Sequence, residues 1–265
     1  MTPTPPTTPL RAVVLANSVG LMVCSRSHAT QGGAYPHHLP EALAVGGQPA
    51  EVWSFAKVMG MVDDGVRDWE RAVFTTWPHL VVINYGIQET YPIFFPKPVH
   101  QQAWGLSRTD RPVDRAMTSL LQTRWRWIQW ASNRLDHEWW RGQVSITRFG
   151  HQFRRLVDLT LTWTAASVVV VGMHEPNVRM MKLSGAYPHR RERLQRIMLE
   201  TVEAHPRAGF VDIQRVVDAV DPTDFQTALP DGLHLVPEGH RVLAGLIAEE
   251  YYAIQSRLGD RGPTG

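Results

Sequence analysis

Five short, continuous apolar runs recur along the 265-residue chain, with helical patterns between them, and this alternation constrains the fold more than any other feature. The runs are Ala12–Ala16, about Glu51–Val58, Leu80–Tyr85, Ser167–Met173 and, more weakly, Ala208–Ile213. A strand wetted on one face alternates apolar and polar residues; a strand covered on both faces reads as an unbroken run. The segments between them behave differently. Val62–Phe74 spaces its apolar residues about one helical turn apart, and His189–Ala204 puts Leu194, Ile197, Met198 and Val202 on one face. Pro237–Leu258 opens with proline, suited to a first turn, and carries Val242, Leu243, Leu246 and Ile247 on its apolar side.

Strands alternating with helices imply parallel pairing with helices on both faces. The expected fold class is therefore α/β: a three-layer α/β/α sandwich around a five-stranded parallel, flavodoxin-like sheet. In such sheets chemistry gathers beyond the carboxyl ends of the strands. The residues there are Asn17 and Ser18, Gly60, Gly86–Glu89, and His174–Asn177.

The connection between the third and fourth runs is far longer than a crossover needs. It begins in a proline-rich loop at Tyr91 and continues through a mainly helical stretch. A single domain over 11–258 is expected, with a helical insertion at about 91–166. A disordered Pro/Thr-rich leader (1–10) and a flexible tail (259–265) would flank it. No opening stretch reads as a signal peptide, and no run reaches the roughly 18 apolar residues that span a bilayer. The expectation is a cytoplasmic chain without stable membrane insertion.

Charge narrows the function classes. Lys+Arg is 27 against Asp+Glu 25, a balance that argues against a general nucleic-acid binder. Only Lys57, Lys97 and Lys182 are lysines; the other basic residues are arginines. Six of the 10 tryptophans lie between Trp104 and Trp140. Residues 111–155 hold nine arginines against Asp114, Asp136 and Glu138. The insertion is thus basic and aromatic. Its tryptophans, Trp125 and Trp139 among them, either pack added helices onto the sheet or line a lid over the site; a surface for anionic partners is a third reading.

Cys24 is the one cysteine, which excludes a disulfide framework, and it reads as a small buried residue near the start of the first helix. His28, His37 and His38 have no carboxylates clustered with them, and His137-Glu138 does not continue into a zinc-binding helix. No metal is expected. No glycine-rich phosphate loop follows a strand, so no nucleotide cofactor is expected either.

One constellation carries chemistry. In Asp231-Gly232-Leu233-His234 a carboxylate stands three residues before an imidazole, close enough to orient it and to stabilise its protonated form. Ser18 is the partner, since a hydroxyl needs such a base to become a nucleophile. Read alone, Ser18 would be taken as a helix N-cap, where serine is favoured. His240, six residues beyond His234, reads as a structural residue packing the start of the last helix, and Asn84 as a residue bonding backbone at the strand end.

These residues resemble the SGNH (GDSL-type) serine hydrolases. Ala16-Asn17-Ser18 stands where that family has Gly-Asp-Ser. Gly60 matches its second-block glycine, and Gly86-Ile87-Gln88-Glu89 its Gly-x-Asn-Asp. Asp231–His234 is an intact Asp-x-x-His. The resemblance implies Ser18 as nucleophile, His234 as base, Asp231 as its orienting acid, and an oxyanion hole from the amides of Ser18 and Gly60 plus a donor from Gln88. It implies hydrolysis of an ester of a small metabolite or sugar through an acyl-enzyme, with no cofactor. Acyl transfer by the same residues and an inactive binding protein on the same fold are the alternatives. Asn17 and Gln88 depart from the family pattern, and Asn17, Trp125 and Trp139 are the candidate substrate contacts.

Overall fold

The computed structural model describes residues 8–25, 28–44, 48–90, 119–120, 144–175 and 187–259. Among the described residues seven strands form two sheets: β1 (Leu10–Ala16), β2 (Met22–Ser25), β3 (His28–Gln31), β4 (Ala50–Ser54), β5 (Leu80–Asn84), β6 (Ser167–Val171) and β7 (Ala208–Val211). The helices include α1 (Tyr35–Leu43), α2 (Val62–Trp69, continued by one π-turn to Phe74), α3 (Ile87–Thr90) and α4 (Ile146–Trp163). After them come α5 (Tyr187–Glu203), α6 (Gln214–Val220), α7 (Phe225–Ala228) and α8 (Pro237–Gly259).

The main sheet has the order β4-β1-β5-β6-β7, with every pairing parallel. Counting only its own strands, that is second-first-third-fourth-fifth, the flavodoxin-like order expected from the sequence. The unbroken apolar runs are explained by what covers each face. Val13, Leu15, Val81, Ile83, Val168 and Val170 pack in one core with side chains of α2, α4 and α5. Their neighbours Val14, Ala16, Leu80, Val82, Val169 and Val171 pack in a second core with α1, α6 and α8. With both faces dry, each fully buried aliphatic side chain contributes about 1.5–3 kcal/mol, whichever way it points.

Several particulars differ from these expectations or add to them. Cys24 is buried, but in β2 rather than near a helix start. β2 and β3 form an antiparallel hairpin just after the first turn, and two four-residue strands leave too short a pattern to read. The second strand ends at Ser54, although its continuation still bonds to β1 through Phe55 N to Val14 O (2.8 Å) and Lys57 N to Ala16 O (3.0 Å). Finally, Ile146–Trp163 is the crossover helix of the β5–β6 connection. Phe149, Phe153, Leu156 and Val157 bury its inner face, so this part of the 91–166 segment belongs to the domain core. Residues 91–118 and 121–143, with Trp125 and Trp139, lie outside the described residues, as do 1–7 and 260–265.

Candidate active site

β1 ends at Ala16, and the chain turns at once into a single 3₁₀ turn, Ser18–Gly20. Asn17 is the N-cap of that turn: its side-chain oxygen accepts from Val19 N at 2.9 Å. The capping role that Ser18 could have filled is therefore taken by its neighbour, and the Ser18 hydroxyl is left to point elsewhere. Asn17 is itself buried, and its own N–H donates to Asn84 O at 3.1 Å, fixing the turn to the end of β5.

The Ser18 hydroxyl lies 2.9 Å from His234 Nε2. His234 Nδ1 lies 2.7 Å from Asp231 Oδ2, while Asp231 Oδ1 accepts from the backbone N–H groups of Leu233 (2.9 Å) and His234 (2.8 Å). One carboxylate thus closes the loop and orients the ring it carries. Burial pushes the Asp231 carboxyl up, but its bonds with the His234 ring and the two amides outweigh that and hold it below the usual range. A carboxylate at Oδ2 keeps the proton on Nδ1, so Nε2 presents a lone pair toward the hydroxyl.

The loop carrying His234 is braced from behind by the hairpin. Cys24 N donates to Leu235 O at 2.8 Å. His240, wholly buried at the start of α8, accepts from Tyr35 N at 3.1 Å through Nδ1 and donates to Met22 O at 3.0 Å through Nε2. Those two partners require the neutral ring, and burial holds its pKa down to about 4. His174, beyond β6, is also wholly buried, with Nδ1 2.8 Å from Glu175 O; burial brings it to about 4 as well.

Gly60 sits directly behind the Asn17–Ser18 turn. A Cβ at this position would come within 2.9 Å of Ala16 O and 3.2 Å of Asn17 Cα, so no larger residue fits without moving Ser18's neighbours. Its N–H closes the preceding turn on Lys57 O at 2.9 Å, and Met59, inside that turn, has φ 56°. A non-glycine residue with φ > 0 is strained, so the loop stores backbone energy next to the site. Gln88 is half-buried on α3.

Glu89, singled out by no sequence signal beyond its place in the third block, is wholly buried. Its Oε1 accepts from Val62 N at 2.7 Å and its Oε2 from Gly86 N at 2.9 Å. Burial pushes its pKa up to about 7 despite these donors. A buried acid is rarely tolerated without partners, and here two backbone amides supply them. Among the described residues no three His, Cys, Asp or Glu side chains converge as a metal-holding group, and no helix is long and apolar enough to cross a membrane.

No protein-family model matches the chain, and no curated protein matches it by sequence. Solved structures do. A lipase/acylhydrolase from Enterococcus faecalis superposes with a TM-score of 0.61 at 14% identity, covering 92% of this chain and 96% of that one. A catalytic mutant of an acetylxylan esterase from Geobacillus stearothermophilus gives 0.61 at 16% identity, covering 92% and 95%. An alpha/beta hydrolase from the metagenome of Lake Arreo, Spain, gives 0.60 at 16% identity, covering 94% and 97%. Over more than nine-tenths of its length, the chain has the fold of these hydrolase structures.

Proposed function

We propose that the chain is a serine esterase in which Ser18 is the nucleophile, His234 the general base and Asp231 the group that orients and stabilises the base. The observation that carries this reading is the continuous hydrogen-bonded line from Ser18 Oγ through both nitrogens of His234 to Asp231 at the carboxyl edge of the sheet. The fold shared with acylhydrolase and esterase structures supports it.

In this scheme His234 Nε2 takes the proton of Ser18 as Oγ attacks the ester carbonyl, and Asp231 stabilises the imidazolium. The tetrahedral intermediate collapses as His234 gives that proton to the leaving alkoxide, leaving an acyl-serine. Water, deprotonated by the same nitrogen, attacks the acyl carbon; the second tetrahedral intermediate collapses as His234 returns the proton to Ser18 Oγ, freeing the acid and restoring the serine. The developing oxyanion would be held by the Ser18 amide, by the Gly60 amide and by the Gln88 side chain. The Gly60 amide would have to share its bond to Lys57 O, and a single donor of this kind supplies about 3 kcal/mol. The substrate class is a short-acyl ester of a sugar or small metabolite, in line with the acetylxylan esterase among the structural neighbours. Asn17 would act through the turn it caps, and Trp125 and Trp139 are the proposed contacts from the long connection.

The test is labelling with a fluorophosphonate and turnover of p-nitrophenyl acetate, wild type beside Ser18→Ala. Labelling and turnover in the wild type alone are expected. A well-folded wild type that does neither would sink the proposal.

A further inference from the structure

The loops flanking the nucleophile are not held by the sheet alone. Gly60–Val62 leads into α2, and Gly86–Gln88 leads into α3; both hang beyond strand ends. The amides at the start of α2 are taken one after the other by carboxylates. Met61 N donates to Asp64 Oδ2 at 3.0 Å, a bond within one helical turn that fixes nothing outside it. Val62 N donates to Glu89 Oε1 at 2.7 Å, a bond across 27 positions. The other oxygen of the same carboxylate takes Gly86 N at 2.9 Å.

Glu89 is therefore a two-pronged spacer between two loops, with one oxygen on each. Its backbone is anchored too: Arg190, buried on α5, donates to Glu89 O at 2.9 Å and to Val144 O at 2.8 Å. The turn cannot relax away from it. Gly86 has φ 115°, and a Cβ there would meet Met198 at 2.6 Å and Met173 at 2.7 Å.

We infer that Glu89 is a positioning residue whose carboxylate sets the separation between the Gly60–Val62 loop and the Gly86–Gln88 turn, and so keeps the oxyanion-side donors in register with Ser18. The inference rests on the esterase reading above. A group acting this way serves the transition state, where an oxyanion must be met within a few tenths of an ångström, and has little part in binding the ground-state ester.

The experiment is steady-state kinetics on p-nitrophenyl acetate with Glu89→Gln, together with the rate of fluorophosphonate labelling and the thermal midpoint. Gln retains the size but offers an amide NH2 to one of the two N–H groups. The expected result is a kcat lower by about 10- to 100-fold, KM within about threefold, and labelling slowed in the same proportion. Val62→Pro approaches the same bond from the other side. It removes the donor and leaves Glu89 intact, at the first position of a helix where proline is accepted and after a residue already extended (Met61 ψ 163°). It should reproduce the loss of kcat, and it keeps the inference testable if Glu89→Gln does not fold. An active wild type beside folded variants with unchanged kcat, or with a change confined to KM, overturns the inference and leaves the esterase reading standing. A folded but inert wild type overturns both.

Discussion

Ser18 Oγ and His234 Nε2 lie 2.9 Å apart across 216 positions of chain. The contact is made by two turns with no sequence in common: one follows β1, the second strand of the main sheet, and the other precedes the last helix. If the three groups work as a unit, their losses will not add. Ser18→Ala and His234→Ala should each lower kcat on p-nitrophenyl acetate by at least about 10³-fold, and the double variant should be no worse than the singles. Asp231→Asn should cost about 10²- to 10⁴-fold while retaining the fold. Multiplying defects in the double variant would show that the residues act separately.

Gly60→Ala tests the wall behind Ser18, the proposed nucleophile. The added methyl would lie 2.9 Å from Ala16 O and 3.0 Å from Lys57 O, and both are backbone atoms that cannot swing away. We expect a stability loss of about 1–3 kcal/mol. A loss of kcat should accompany it, because relief requires moving Asn17 and Ser18. Equilibrium urea melts and kinetics on the same sample check both; a neutral substitution would mean the loop gives without disturbing Ser18.

The pH dependence of stability follows from three buried groups pulling in two directions. His174 and His240 are held down to about 4, so the unfolded chain binds more protons than the folded one between about 4 and 6.5. Their contribution is complete above 6.5 and is lost as pH falls through 4. Glu89 is pushed up to about 7, so its contribution is complete below 4.5 and is lost as pH rises through 7. With two groups against one, unfolding free energy should fall as pH drops from 6.5 to 4. Glu89→Gln removes the opposing group and should steepen that fall. Urea melts at half-unit pH steps measure it, and an unchanged slope would contradict the assignment.

Arg207 offers a control far from the chemistry. Its guanidinium closes the carboxyl end of α4, donating to Thr164 O at 2.9 Å, Ala166 O at 3.1 Å and Leu161 O. Arg207→Ala should cost about 2–3 kcal/mol by leaving helix-end carbonyls unmet, with kcat within twofold of wild type. A kinetic defect here would mean that α4 transmits strain to the site.

Much of the fold could be read from the chain because burial on both faces writes itself into unbroken runs such as Leu80–Tyr85 and Ser167–Met173. Asp231 and His234 were equally readable, since three residues place them on one turn and no tertiary knowledge is needed to see them together. Ser18 was readable only through topology, as the first polar residues after the first strand. What stayed hidden depends on partners distant in sequence. The β2–β3 hairpin has four-residue strands, and its meaning lies in Cys24 N meeting Leu235 O. Glu89 in isolation looks like a solvated turn acid; only the packing of α2 over β5 turns it into a buried bridge. Ser18 as an N-cap was reasonable chemistry that went to Asn17, because the turn begins one residue earlier than its hydroxyl would need.

The order in which the chain delivers these parts has a consequence for its synthesis. The hydroxyl of Ser18, Gly60 and the whole of β1 are made early, whereas Asp231, His234 and the bond from His240 to Met22 O come late. On the proposed mechanism, a nascent or clipped chain lacking residues beyond 230 would carry the serine without the base that deprotonates it. It would also lack α8, which covers one face of the sheet together with α1 and α6. Reactivity of Ser18 toward a fluorophosphonate would then report that the final segment has docked.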